Sequence, residues 1–224
     1  MIITIDGPAA AGKSTAARML AARLGFRYLD TGAMYRAAAL AAIRAGIDWK
    51  DASQLEPLAD RIHLAWQGSR LFLDGEDVTD AIRSPDVTEA TRFVADSPKL
   101  REKMAELQRE IGRSCDLVTE GRDQGSLVFP HAECKFFLTA DPQERAKRRV
   151  ADYAAQGKAL AWEDVLQAIV ERDRADATRP VGALRCPPDA VEINTEGLTV
   201  EEVVAKMEEI VRKKQAKPSR SRRG

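Results

Sequence analysis

The stretch Gly7-Pro8-Ala9-Ala10-Ala11-Gly12-Lys13-Ser14 fits the pattern G-x-x-x-x-G-K-[ST], and its reading decides the fold. Glycines at its two ends let the backbone curl tightly enough to aim successive N–H groups at phosphate oxygens. A helix starting at Lys13 adds the positive end of its dipole to that anion nest. Lys13 is expected at the β- and γ-phosphates and the Ser14 hydroxyl at a magnesium ion. Upstream, Ile2-Ile3-Thr4-Ile5 reads as a buried strand, and downstream the apolar spacing predicts a helix over 13–24 closed by Gly25. Strand, loop and helix in that order are the context the motif requires. It implies binding of a nucleoside triphosphate and leaves open what is done with it.

Outward from this loop, short strands alternate with longer helices. Strands are expected over 26–29, 116–120, 135–139 and 190–193, and helices over 33–45 and 162–177. Asp141, Pro142 and Glu144 open another helix, and Thr199 with Glu202 stands in capping-box spacing before the last one. The pattern predicts an α/β protein: a P-loop-type parallel sheet with helices on both faces. Residues 63–83 interrupt it. His63 to Trp66, a Gly68-Ser69 turn, Leu71 to Leu73 and Asp74-Gly75 read as consecutive antiparallel strands, followed by helical segments over 85–95 and 98–113. The expected organisation is a core over 1–45 and 96–211 with an insertion over 46–95.

Composition narrows the field. Hydrophobic residues make up 44% and charged residues 31%, as in a folded soluble domain rather than a disordered chain. No apolar run approaches the length of a membrane span, and Met1 to Asp6 lacks a basic leader, so a cytoplasmic protein is expected. Cys115, Cys134 and Cys186 are odd in number and lack metal-type spacing. Basic and acidic residues balance at 35 each, yet seven basic ones stand in residues 212–224, which hold no acid. That tail is expected to be disordered, with nucleic-acid contact the less favoured reading. The single asparagine, Asn194, is followed by Thr195, so the Asn-Lys-x-Asp signature of guanine-specific switches is absent. No run of four aliphatics ends in Asp, which disfavours a motor ATPase.

Further strings carry a resemblance: LDTGAMYR over 29–36, LFLDGEDVT over 71–79, GRDQGSLVFP over 121–130, FLTADPQERAKRR over 137–149, and the spaced RD-x-x-D-x-x-R of 172–179. With the phosphate loop, they make the chain similar to the bacterial cytidylate kinases, which are nucleoside monophosphate kinases, up to the basic tail. The resemblance implies transfer of the γ-phosphoryl of ATP to CMP and dCMP with Mg2+, by a protein expected to be monomeric. It implies donor binding by Gly7 through Ser14 and Thr15. Arg36, Arg122 and Arg179 match positions that hold the acceptor phosphate, a task suited to planar guanidinium forks. Arg101 and Asp123 match the pair that reads cytosine, whose amino donor and ring acceptors suit a carboxylate beside an arginine. Thr31 and Tyr35 are further acceptor-side positions, and Asp176 with Arg172 matches a pair for the ribose hydroxyls. Residues 150–160 correspond to a short lid that excludes water, and of the arginines before it Arg148 is favoured over Arg145.

Lys13, Arg122, Arg148 and Arg179 are therefore the expected catalytic groups. The chain departs from the family pattern at Ala10, Arg92, Glu120 and Asn194, without loss of a phosphate-binding group. The alternatives are a kinase preferring UMP or another monophosphate, and a non-catalytic nucleotide-binding protein acting on RNA through its tail.

Overall fold

The computed structural model describes residues 1–155 and 157–216. They form two compact units, one built from Met1–Leu29 and the chain from Cys115 onward, the other from Asp30–Ser114. The expected insertion over 46–95 falls inside the second unit, which also takes in the helices on either side of it.

The first unit begins with β1 (Ile2–Asp6), α1 (Lys13–Leu24) and β2 (Arg27–Asp30). The chain then passes through the second unit: α2 (Thr31–Arg44), α3 (Ala52–Ala59), β3 (Leu64–Gln67), β4 (Arg70–Leu73), β5 (Glu76–Asp77), α4 (Pro85–Asp96) and α5 (Pro98–Ser114). It returns to the first unit through β6 (Leu117–Gly121), a π-helical turn over Gln124–Val128, β7 (Cys134–Thr139), α6 (Pro142–Ala155), α7 (Trp162–Thr178), β8 (Val191–Asn194) and α8 (Val200–Ala216).

The main sheet has the order β2-β6-β1-β7-β8, and β1 pairs in parallel with both β6 and β7. Its expected parallel, helix-flanked form holds. Alternation along β1 sends Ile3 and Ile5 into the core formed with Ala17 and Leu20 of α1, Phe136 and Leu138 of β7, and Val204 and Met207 of α8. Thr4 and Asp6 point to the opposite face and are also buried. β2 and β6 lie on one side of β1, and from β6 the chain crosses to β7 and β8 on the other, so the carboxyl end of β1 is the switch point where parallel sheets bind ligands. Phe136, 1% exposed, lies on β7 between β1 and β8. Phe136→Ala is expected to lower unfolding stability by about 3–5 kcal/mol, read from the urea midpoint, because the rigid sheet cannot close over the void.

In the second unit the antiparallel order β3-β4-β5 appears where it was expected. Asp74 and Gly75 both have positive φ, 50° and 87°, giving the two-residue hairpin turn that matches strand twist. α2 starts where Asp30 Oδ1 accepts the Ala33 N–H at 2.8 Å, and its alanines let it be buried on several sides.

At the other end of the chain, Thr199 and Glu202 make the expected capping box, each side chain bonding the other's backbone N–H. α8 then runs to Ala216, so Arg212, Lys213 and Lys214 are helical rather than part of a disordered tail. Arg212 pairs with Glu208 and Lys213 with Glu209 at four-residue spacing, which favours the extra turn. The expected tail contact by residues 217–224 lies outside the described residues. No helix among the described residues is long and apolar enough to cross a membrane.

Candidate active site

The phosphate loop leaves the carboxyl end of β1 and enters α1. A Cβ at Gly7, where φ is 145°, would sit 2.1 Å from the Leu138 carbonyl oxygen, so only glycine lets the loop turn under β7. Ala10 adopts a left-handed φ of 59°, holding a conformation usually left to glycine. Gly12 is the N-cap of α1 and offers no side chain to its first-turn amides, which therefore suit an anion. Lys13, 5% exposed, donates from Nζ to the Pro8 carbonyl at 2.6 Å. Burial, with repulsion from Arg122, pushes its ammonium down to about 7.

Ser14 Oγ donates to Glu120 Oε1 at 2.9 Å, placing a hydroxyl and a carboxylate side by side. Mg2+ is held by one or two protein oxygens together with substrate phosphates and water, and these two residues fit that need. Asp6 lies beneath the loop and accepts the N–H groups of Gln124 and Gly125. Burial raises its carboxyl to about 6 against those two bonds.

The α6–α7 pair reaches this loop through Arg145. Its guanidinium, almost fully buried, donates to the carbonyls of Ala140 at 2.9 Å and Ala9 at 3.0 Å, and Nη2 lies 2.5 Å from Asp173. Ala10 also packs on the small apolar cluster of Ala146, Val165 and Ile169. Arg148, the favoured lid arginine, instead donates to Thr195 Oγ1 and the Thr195 carbonyl at 2.9 and 3.0 Å. The guanidinium touching the phosphate loop is that of Arg145, one turn earlier on the same helix.

Asp176, fully buried near the end of α7, gathers three of the expected residues. Arg122 Nε and Arg179 Nη2 each lie 2.7 Å from its carboxylate, and Arg172 Nε lies at 3.2 Å. Burial alone would raise this carboxyl; the guanidiniums of Arg122, Arg172 and Arg179 outweigh it and hold the group at about 2. Asp123 follows Arg122 at the mouth of β6 and is buried.

The remaining expected residues lie in the second unit. Arg36 folds back to Asp30 at 3.3 Å, over Gly32, where a Cβ would come within 3.1 Å of its Nη1. Thr31 opens α2 and is buried. Arg101 is 4% exposed, donates to the Ala95 carbonyl at 2.9 Å, and lies 5.6 Å from the centre of the Tyr35 ring.

Sequence reasoning did not single out Asp6, noted Glu120 only as a departure from the family pattern, and ranked Arg145 below Arg148. Its one available signal was Thr4 and Asp6 alternating with isoleucines in a strand read as fully buried. A polar residue there needs a partner, and the partners lie more than a hundred residues away.

A phosphate loop at the switch point of a parallel sheet, with a magnesium-type oxygen pair and an arginine cluster in the same unit, defines the P-loop kinase class. The family model for cytidylate kinase matches residues 3–213. The cytidylate kinase of Rhodopirellula baltica is 49% identical over 212 residues, covering 95% of this chain and 93% of that one. That of Pelotomaculum thermopropionicum is 50% identical over 207 residues, covering 90% and 92%. This chain belongs to the cytidylate kinase family. Among solved structures, a protein of Eubacterium ventriosum shares the fold at 12% identity, with a TM-score of 0.52 over 97% of this chain and 99% of that one.

Proposed function

We propose that the protein transfers the γ-phosphoryl group of ATP to CMP and dCMP, giving ADP and CDP or dCDP. The observation that carries this reading is the convergence of Arg122, Arg172 and Arg179 on one carboxylate in a chain of this family. Guanidinium forks gathered in this way suit the oxygens of an acceptor phosphate. That phosphate is already anionic at neutral pH, so an oxygen attacks the γ-phosphorus directly, the bond to the β–γ bridging oxygen breaks, and no strong general base is needed. His63 lies with its side chain largely exposed beside Asp74 and is given no part in the reaction.

Lys13 and the loop amides from Gly7 to Thr15 hold the donor phosphates and meet the charge that builds on the transferring group. Bound Mg2+, at Ser14 and Glu120, would neutralise phosphate charge. Arg36, Arg122 and Arg179 orient the acceptor phosphate, and Asp123 with Arg101 reads cytosine, Thr31 and Tyr35 being further contacts. Residues 46–95 serve as the acceptor-binding insertion and 150–160 as the lid, with Arg148 reaching donor phosphates on closure. The enzyme acts as a cytoplasmic monomer.

The test is diphosphate formation from ATP with CMP, dCMP, UMP and AMP in turn. CMP and dCMP should be preferred, and UMP should lose about 10- to 100-fold in kcat/KM, because its carbonyl faces the Asp123 carboxylate. Preference for AMP, or no diphosphate from any acceptor, would refute the assignment.

A further inference from the structure

We propose that Asp6 is a positioning residue for the acceptor side: its carboxylate straps down the turn that follows Arg122 and Asp123, and so sets that pair against the phosphate loop. Asp6 is the last residue of β1, directly before Gly7, and is 1% exposed. Its Oδ1 accepts the Gln124 N–H at 2.9 Å and its Oδ2 the Gly125 N–H at 2.7 Å. These are the first two amides of the π-helical turn over Gln124–Val128, and helical turns leave their opening amides without internal partners. An ionised carboxylate can accept both at once, whereas an alanine can accept neither.

Other contacts agree on the same placement. Thr119 Oγ1 on β6 donates to Gln124 Oε1 at 2.8 Å, fixing the side chain of the first strapped residue. A Cβ on Gly125 would meet Thr4 Oγ1 at 2.7 Å and Asp6 Oδ2 at 3.3 Å, so the turn reaches β1 only because residue 125 is glycine. The Asp123 carbonyl accepts the N–H groups of Leu127 and Val128, closing the turn on the residue that precedes it. Arg122, one residue earlier, is bonded at 2.7 Å to Asp176. One residue thus opens the phosphate loop through its backbone and anchors the Arg122–Asp123 segment through its side chain. Displacement of about 1 Å between reacting groups costs about 100-fold in rate, which is the scale on which such a strap matters. Nothing in the reaction requires Asp6 to touch a substrate; it acts through the backbone of Gln124 and Gly125.

This inference rests on the CMP kinase reading, and its test separates the two. In Asp6→Asn one oxygen still accepts an amide while an NH2 group opposes the other N–H. The expected result is a KM for CMP raised about tenfold, kcat lowered about tenfold, and a KM for ATP within about twofold of wild type. Hydrogen exchange at the Gln124 and Gly125 amides should quicken by about tenfold or more, with the α1 amides unchanged. Gly125→Ala attacks the same strap from the other side and should show the same split; it carries the test if Asp6→Asn does not fold. Equal shifts in both KM values, or unchanged exchange at residues 124 and 125, would overturn the proposal. Should the wild-type enzyme fail to phosphorylate CMP, the exchange data would still decide the strap, and only the functional reading would fall.

Discussion

Lys13→Ala is expected to lower kcat for CMP by on the order of 1000-fold, with the KM for CMP changing by less than about threefold. The ammonium sits inside the loop, 2.6 Å from the Pro8 carbonyl, where it can pass to a donor phosphate without leaving its cup. Its charge is needed most when the β–γ bond breaks, so its loss falls on the chemical step rather than on acceptor binding. Lys13→Arg should not rescue, because a rigid planar fork does not fit a loop closed around a compact ammonium. A second readout follows from electrostatics. Burial, with repulsion from Arg122, lowers the free Lys13 to about 7, so near pH 8 a share of it is neutral. Triphosphate beside it favours the charged form, so ATP binding at that pH should take up a proton. Calorimetry in buffers of different ionisation enthalpy detects this uptake, which Lys13→Ala should abolish. A variant turning over at near wild-type rate would remove Lys13 from the mechanism.

Asp176→Asn is the second large effect, and it acts on stability and activity together. Removing the charge leaves Arg122, Arg172 and Arg179 facing one another, with the Arg179 side chain only 4% exposed. A buried ion pair broken from one side costs about 3–5 kcal/mol, and kcat/KM for CMP should fall about 100-fold as the cluster spreads. The pH dependence has a definite sign. The wild-type carboxyl is held at about 2 against an ordinary 3.8, so its contribution is complete above about pH 4 and disappears as pH falls through 2. That contribution is about 2 kcal/mol by linkage. Acid unfolding between pH 4 and 2 should therefore be flatter in Asp176→Asn than in wild type. Comparing CMP with dCMP separates the hub from the ribose contact that the family resemblance implies for Asp176. If organising the arginines is its main work, both acceptors lose equally. If it mainly meets the 2′-hydroxyl, CMP alone loses.

The sequence shows the frame of the molecule clearly and its buried polar wiring poorly. Strand, phosphate loop and helix over residues 2–24 are legible because glycine, lysine and apolar spacing act locally, and the capping box of α8 follows from neighbours within three residues, whereas α2 begins two residues before the expected start, at its Asp30 cap. α3 is missed: it is eight residues long and contains Pro57, which reads as a breaker although it stands in the last turn. The π-helical turn after Asp123 escapes because its bonds to Asp6 join positions 118 residues apart. Arg145 is undervalued for the same reason, since its partner carbonyl at Ala9 is 136 residues away. In RD-x-x-D-x-x-R the spacing of Arg172 and Asp176 is plain, but the arrival of Arg122 from another strand is not.

Ala10 belongs to two neighbourhoods at once, the curl that receives nucleotide and the oily seam beneath α6 and α7. Its methyl group makes the cradle a tenant of that seam. Heat that loosens the helical hairpin should therefore slacken the cradle too, so loss of activity and melting of α6–α7 are expected to coincide, with bound nucleotide delaying both.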